Sequence, residues 1–441
     1  MKNEDYKARL RALIPGGAHT YSRGDDQYPS NAPAILDRGK GAYIWDPSGK
    51  KYLDYGMALR AVTLGYADEQ VNAAAFREME KGVNLTRATT LELEAAQTMV
   101  DLVKGADMVK FAKNGSNVTT AAVKIARSYT GRKYVCVPKQ QPFFSFDDWF
   151  IGTTPVLKGI PSEHHSTTLV FEYNNIASLQ QLFDQYPDQI AAVIMEPATT
   201  LLPNMSEKDG KTINFLQQVQ AICNKNGTIF IIDEMITGFR WHLNGAQAYY
   251  GIEPDISTFG KGMANGFAVA ALVGKRELMD VGSIDKIGSE RTFLLSTTHG
   301  AEMCGLGAFL ETVKIYKEQQ VVDHLWKYGA QLFDGINQIS AGLDLKDFFY
   351  MDGNAVSMNY VTKDQEGNVS LGFRTLFSQE MIRNGVLIPW IAPSFMHREE
   401  ELQFTLDAVA QSLAVVKKAL GEGLEKYLVG PAIKPVFRQF N

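Results

Sequence analysis

From Met108 onward the chain alternates short apolar runs with helix-length stretches, and nothing else in it restricts the fold as strongly. A run near Met108, YVCVP (134–138), AAVIMEP (191–197) and TIFIID (228–233) read as strands, while residues 91–103, the stretch after Asn114, 176–183 and 213–226 read as helices. Such alternation gives an α/β fold, a mostly parallel sheet covered by helices on both faces, with ligands at the carboxyl ends of the strands. Residues 1–69 read as an N-terminal segment with strand-like AYIWD and KYLDY around a Pro-Ser-Gly turn, joining a small domain. Residues 70–310 read as the large domain and 311–441 as a smaller α+β domain led by a long helical stretch. A chain of 441 residues, 45% of them hydrophobic, has material for one large core and a second smaller one.

Two of the loops carry chemistry. TIFIIDEMITGFR (228–240) ends a strand in the acidic pair Asp233 and Glu234, and DISTFGKGMANG (255–266) places Lys261 between two glycines after a β-branched run. A desolvated lysine loses proton affinity, becomes a nucleophile near neutral pH and forms Schiff bases with carbonyls. Pyridoxal 5'-phosphate (PLP) is the common cofactor that needs such a lysine, together with a carboxylate that keeps its pyridine nitrogen protonated. Asp233, leaving the strand, is the candidate for that carboxylate. A phosphate seat is available where a strand meets a helix at Asn114-Gly115-Ser116, since free amides at a helix start favour a dianion and Ser116 adds a hydroxyl. Each signal alone also fits an ordinary cap, a solvated loop or an unrelated strand end; together they support one another.

The chain resembles the class-III, fold-type-I PLP aminotransferases, in the branch that includes glutamate-1-semialdehyde aminomutase. The resemblance runs from about residue 13 to about residue 414 and is carried by PGGAHTYSRG (15–24), GAYIWDPSGKKYLDY (41–55), IMEP (194–197), DEMITGFR and FGKGMANG. It implies a seven-stranded type of sheet, a Schiff-base lysine at Lys261, a pyridine partner at Asp233 and a phosphate cup at Gly115 and Ser116. It also implies a further phosphate ligand given by the neighbouring subunit of a homodimer with shared active sites, either Thr297 or Thr298 in STTHGAE (296–302). Where relatives lay an aromatic ring on the cofactor within Gly-Tyr-His-Gly, this chain reads QPFFSFDDWFIG (141–152), so Phe143 or Phe144 takes that place and the polar handle is lost. Met235 stands where a valine usually backs the ring.

Other departures bear on the reaction. Arg23, eight residues after Pro15, matches the aminomutase arginine that takes a substrate carboxylate, a task suited to guanidinium. The aminomutase pattern has Trp and Gly before its Leu-Gly-His; here GMALRAVTLGY (56–66) has Leu59 and Arg60 there. These changes are similar to those in transaminases of sugar, cell-surface glycan and aminosugar pathways. The resemblance therefore implies transfer of an amino group from a small-molecule donor, L-glutamate, to an aldehyde or keto acceptor. The runner-up is intramolecular transfer by glutamate-1-semialdehyde 2,1-aminomutase, for tetrapyrrole synthesis. Arg23, Arg60 and the strand-end Glu196 are the substrate-side candidates, and Lys261 and Asp233 the catalytic ones.

Composition narrows the alternatives. A net charge of −5 with no basic block argues against a nucleic-acid partner. The first residues mix charges without an apolar core, no run approaches a membrane span, and Cys136, Cys223 and Cys304 have neither disulfide nor metal spacing. No metal and a cytoplasmic location are the expectations. A nucleotide-hydrolysing ATPase would also use a strand ending in Asp-Glu, but needs a phosphate loop, and Gly210-Lys211-Thr212 lacks the first glycine, with Met205 in its place.

Overall fold

The computed structural model describes residues 2–141, 143–199, 201–208 and 210–440. The chain divides into two compact units, Met1–Asp68 with Asp323–Val436, and Glu69–Val322 with Phe437–Asn441.

In the second unit seven strands form one sheet: β1 (Met108–Ala112), β2 (Tyr134–Pro138), β3 (Thr168–Phe171), β4 (Ile190–Met195), β5 (Ile229–Asp233), β6 (Ile256–Phe259) and β7 (Ala270–Gly274). Their order is β1-β7-β6-β5-β4-β2-β3. The pairs are parallel except those made by β7, which runs antiparallel to both β6 and β1. The central strands are buried along their whole length because both faces are covered, and β4 is apolar throughout. On β5, Ile229 and Ile231 enter a core shared with Val118, Ala122 and Ile125 of the helix Gly115–Thr130. Phe230 and Ile232 enter another with Phe215, Val219 and Cys223 of the helix Phe215–Asn226.

The helix boundaries have local causes. Asn114 accepts a hydrogen bond from the Asn117 amide and caps the first helix, which Gly131 ends in the left-handed region at φ 65°. The second helix starts at Phe215, later than the sequence pattern placed it. Ile213 belongs instead to the strand Lys211–Asn214, paired antiparallel with Met205–Lys208, and Asn214 with Gln217 forms a capping box.

The first unit holds the antiparallel strands Arg38–Lys40, Tyr43–Trp45 and Lys51–Asp54, extended in parallel by Val386–Leu387. Its core gathers Leu332, Ile336, Phe377, Val409 and Leu413 from long helices. The chain passes between units after Val322, not near residue 310. The helix Met303–Glu318 lies against Glu69–Met79 so closely that a Cβ on Gly307 would come within 2.7 Å of Glu78 and 3.1 Å of the Ala74 carbonyl.

A comparable approach in the first unit gives a direct test. A Cβ on Gly329 would stand 1.8 Å from the Ala355 carbonyl oxygen, a backbone atom that cannot swing aside. Gly329→Ala should destabilise the protein by about 1–3 kcal/mol or more, the usual cost of overpacking. Thermal and urea unfolding curves matching those of the parent would contradict this packing.

Candidate active site

Alternation along β5 puts Asp233 on the same face as Ile229 and Ile231, the face covered by the helix Gly115–Thr130. Its carboxylate is buried, and its Oδ1 accepts from the Met235 amide at 2.9 Å and the Thr258 hydroxyl at 3.1 Å. Thr258 is the register partner of Asp233 on β6, so sheet pairing itself supplies that donor. Burial pushes the Asp233 carboxyl up to about 6, against the opposing pull of the Lys261 charge and the two hydrogen bonds. Lys261 follows β6 after Gly260, half-buried, with φ 42°, a left-handed conformation unusual for a side-chain-bearing residue.

Met235 links the helix start to the lysine loop. A Cβ on Gly115 would lie 3.0 Å from the Met235 sulfur, and one on Gly260 would lie 2.7 Å from it. The thioether therefore occupies the space that two bare glycines leave, where a shorter side chain would leave a void.

The loop carrying the two candidate rings is fastened to the same helix. Thr119 Oγ1 donates to the Phe144 carbonyl at 2.9 Å, and the Phe146 amide donates to Ser116 Oγ at 3.1 Å. Ser116 keeps its own O–H for another acceptor. The structure separates the rings: Phe144 is buried edge-on to Phe150, whereas Phe143 is 46% exposed, edge-on to Phe150 and stacked on Phe437 at 6.4 Å. Asn114 is exposed and serves the cap already described.

The acidic pair divides its labour. Glu234 is buried and accepts from the Ala246 amide at 2.9 Å, the Gln247 amide at 2.7 Å and the Thr237 hydroxyl, holding the start of the helix Ala246–Tyr250. Burial pushes its carboxyl up to about 7. Glu196, after β4, is also buried; its amide and carbonyl are clasped by the Gln141 side chain at 2.8 and 2.7 Å. Gln141 and Thr258 escaped the sequence reading because only strand register and a distant loop bring them there. Thr297 and Thr298 are exposed, downstream of the exposed Ile284, Ile287 and Phe293.

Arg23 and Arg60 lie in the first unit. Arg23 lines a cavity of about 460 Å³ there with Tyr28, Asp54, Ala58, Leu59, Tyr66 and Trp390. Arg60 places its guanidinium 5.8 Å from the Trp390 ring centre and closes a turn in which Met57, Ala58, Leu59 and Arg60 have φ of 40°, 48°, 62° and 67°. Left-handed conformations cost such residues roughly 1–2 kcal/mol each, so other contacts must hold this turn.

The Gly210-Lys211-Thr212 triplet begins an exposed hairpin strand instead of a helix, so it cannot cradle a nucleotide phosphate. Among the described residues, no three His, Cys, Asp or Glu side chains gather as around a metal ion, and no helix is long and apolar enough to cross a membrane.

The profile of the family Aminotransferase class-III matches residues 25–420. A 3-aminobutyryl-CoA aminotransferase of Cloacimonas acidaminovorans is 29% identical over 419 residues, covering 93% of this chain and 96% of its own. A glutamate-1-semialdehyde 2,1-aminomutase of Clostridium tetani is 30% identical over 410 residues, covering 89% and 94%. The solved PLP internal aldimine form of FumI from Sphingopyxis sp. MTA144 superposes with a TM-score of 0.84 at 25% identity, over 95% of this chain and 97% of that one.

Glu234 yields a pH prediction free of any ligand. Its folded value of about 7 lies above the ordinary 4.5, so the contribution of Glu234 to stability is most favourable below pH 4.5, declines as pH rises through that window, and carries the full penalty above 7. The decline amounts to up to roughly 3 kcal/mol. Glu234→Gln should remove that slope from the stability profile, whatever constant offset the amide adds; an unchanged slope would contradict the assignment.

Proposed function

This chain belongs to the class-III aminotransferase family, and from that premise we propose that it is a PLP-dependent aminotransferase working through Lys261 and Asp233. The observation that carries the reading is the buried Asp233 carboxylate at the end of a central strand, with the Lys261 charge acting on it.

The residues present fit the cofactor. Asp233 is ionised above about pH 6, so at neutral pH it can hold a proton on a pyridine nitrogen. The capped start of the helix Gly115–Thr130, bare of a side chain at Gly115 and bearing the Ser116 hydroxyl, suits a phosphate. Phe143, the more exposed of the two rings, supplies an aromatic face. When bound, PLP supplies an electron sink for the bond broken at the donor carbon. Lys261 Nζ would hold the cofactor's aldehyde and, as a free amine, would take the proton from the donor's amino-bearing carbon as general base and deliver it as general acid to the carbon that keeps the transferred nitrogen. Arg23 suits the carboxylate of a donor such as L-glutamate.

The finer reading is an intermolecular transfer to an aldehyde or keto acceptor, with sugars of aminosugar pathways the favoured class. Arg60 and Glu196 remain on the acceptor side of this proposal. A cytoplasmic homodimer is also proposed: Ile284, Ile287 and Phe293 expose apolar surface suited to a second copy, and Thr297 or Thr298 of one protomer would complete the phosphate seat of its partner.

Borohydride reduction followed by peptide mapping tests the lysine. The adduct should sit on Lys261 and vanish in Lys261→Ala; an adduct on another lysine would sink the assignment. Asp233→Asn should keep the cofactor while turnover falls at least ~100-fold, within the range of a lost acid–base contribution. Turnover close to the parent's would move the pyridine partner elsewhere. Supplying glutamate-1-semialdehyde alone separates the reactions, since efficient conversion to 5-aminolevulinate without any external donor would favour the aminomutase.

A further inference from the structure

Past residue 420, the last one that the family profile matches, the chain runs on to Asn441, and after the short turn Leu424–Lys426 the described part of this tail forms neither helix nor strand. Terminal segments of that kind fray unless something ties them down. Here the ties are specific. In the first unit the Val429 amide donates to Gln379 Oε1 at 2.7 Å, and Gln379 Nε2 donates to the Tyr427 carbonyl at 2.9 Å. The Ile433 amide donates to Thr375 Oγ1 at 3.0 Å, the Lys434 amide to the Asp26 carbonyl at 3.0 Å, and Gln27 Nε2 to the Lys434 carbonyl at 3.0 Å. Gln379 and Thr375 are fully buried on the helix Leu371–Arg383, so buried side chains hold the irregular backbone of the tail.

Phe437–Asn441 belong to the second unit, and there the Phe437 ring stacks on that of Phe143, with centroids 6.4 Å and planes 22° apart. The contact of Phe143 with Phe150 is edge-on, and Phe143 keeps 46% of its surface exposed. A phenylalanine has no hydroxyl to anchor it, so its plane is set by what packs on it. A ring has two faces; Phe437 takes one, and the exposure that remains suits the other to a second ring. The backbone beside Phe143 is already fixed by Ser116 and Thr119, in the same unit as Lys261 and Asp233.

We infer that Phe437 is a positioning residue: stacked on Phe143, it presets the plane of the ring that faces the cofactor, and so tightens cofactor binding without touching the cofactor itself. The inference rests on the reading of Phe143 given above and goes beyond it by giving the C-terminal tail a part in the site. Ordering a half-exposed side chain beforehand removes a cost that binding would otherwise carry.

The test titrates the full-length protein, freed of cofactor, with PLP, and follows the visible circular dichroism that bound PLP acquires from its surroundings. Phe437→Ala should weaken PLP about 3- to 10-fold, the range of one aromatic pair, and lower the dichroism per bound cofactor. Phe437→Tyr keeps the ring and should restore both. Phe143→Ala should itself weaken PLP, and adding Phe437→Ala to it should change affinity by less than about 2-fold, because the two rings act as one unit.

Unchanged affinity and dichroism in Phe437→Ala would overturn the inference, and so would tighter binding, which would make the tail an obstacle. A loss that tyrosine fails to restore, or that persists undiminished without the Phe143 ring, would also overturn it, since Phe437 would then act by another route. Phe437→Leu, which keeps volume but no ring, serves should the alanine variant fold poorly; it should show the same fall in dichroism, and the parent's dichroism in it would contradict the role. A parent protein that binds no PLP would instead strike the aminotransferase reading, and Phe143→Ala with the parent's affinity would strike the reading of Phe143, outcomes distinct from any seen only in the Phe437 variants.

Discussion

A carboxylate removed from water and opposed by a lysine charge is the constraint around which the large unit is organised. Asp233 would be costly at the end of a strand buried on both faces if nothing met its charge. The Met235 amide, the Thr258 hydroxyl and the Lys261 charge meet it, and each is delivered by the sheet: the first by the chain just past β5, the second by strand register, the third by the loop that leaves β6. Burial outweighs these three and pushes the carboxyl up to about 6.

Packing ties that electrostatic feature to the helix start. Gly115 and Gly260 both lack side chains where the Met235 sulfur lies, so the lysine loop and the first turn of the helix are gauged against one thioether. The loop bearing Phe143 is fastened to the same turn through Ser116 and Thr119. A change of size at position 235 would therefore be felt at both glycines together. In the smaller unit a comparable device works on the backbone, where Asp54 and Tyr66 offset the strain of four left-handed residues.

Much of this was legible in the sequence because it follows from pattern. Apolar runs alternating with helical stretches announce a parallel sheet, and the strand ending in Asp and the glycine-flanked lysine that follows fall, as such a sheet requires, at the carboxyl ends of β5 and β6. Whatever depended on partners distant in sequence was not legible. Glu234 looks equivalent to Asp233 in the motif, yet it turns to hold the Ala246–Tyr250 helix, and only the return of the chain reveals that. Phe143 and Phe144 are indistinguishable as letters; both lie edge-on to Phe150, yet Phe144 is buried and Phe143 is exposed. The stretch from about residue 311 reads as the lead into the small domain, but the helix Met303–Glu318, packed on Glu69–Met79 at Gly307, belongs with the large unit. The Met57–Arg60 turn contains no glycine to signal its positive φ, so its strain appears only in three dimensions.

The claim that Asp233 exists to hold a proton on the cofactor's ring nitrogen is most directly tested by nitrogen NMR of the protein loaded with ring-15N-labelled PLP. The account predicts a protonated pyridine nitrogen in the parent near pH 8, and an unprotonated one in Asp233→Asn with the fold and cofactor retained. The same protonation state in both proteins would contradict it.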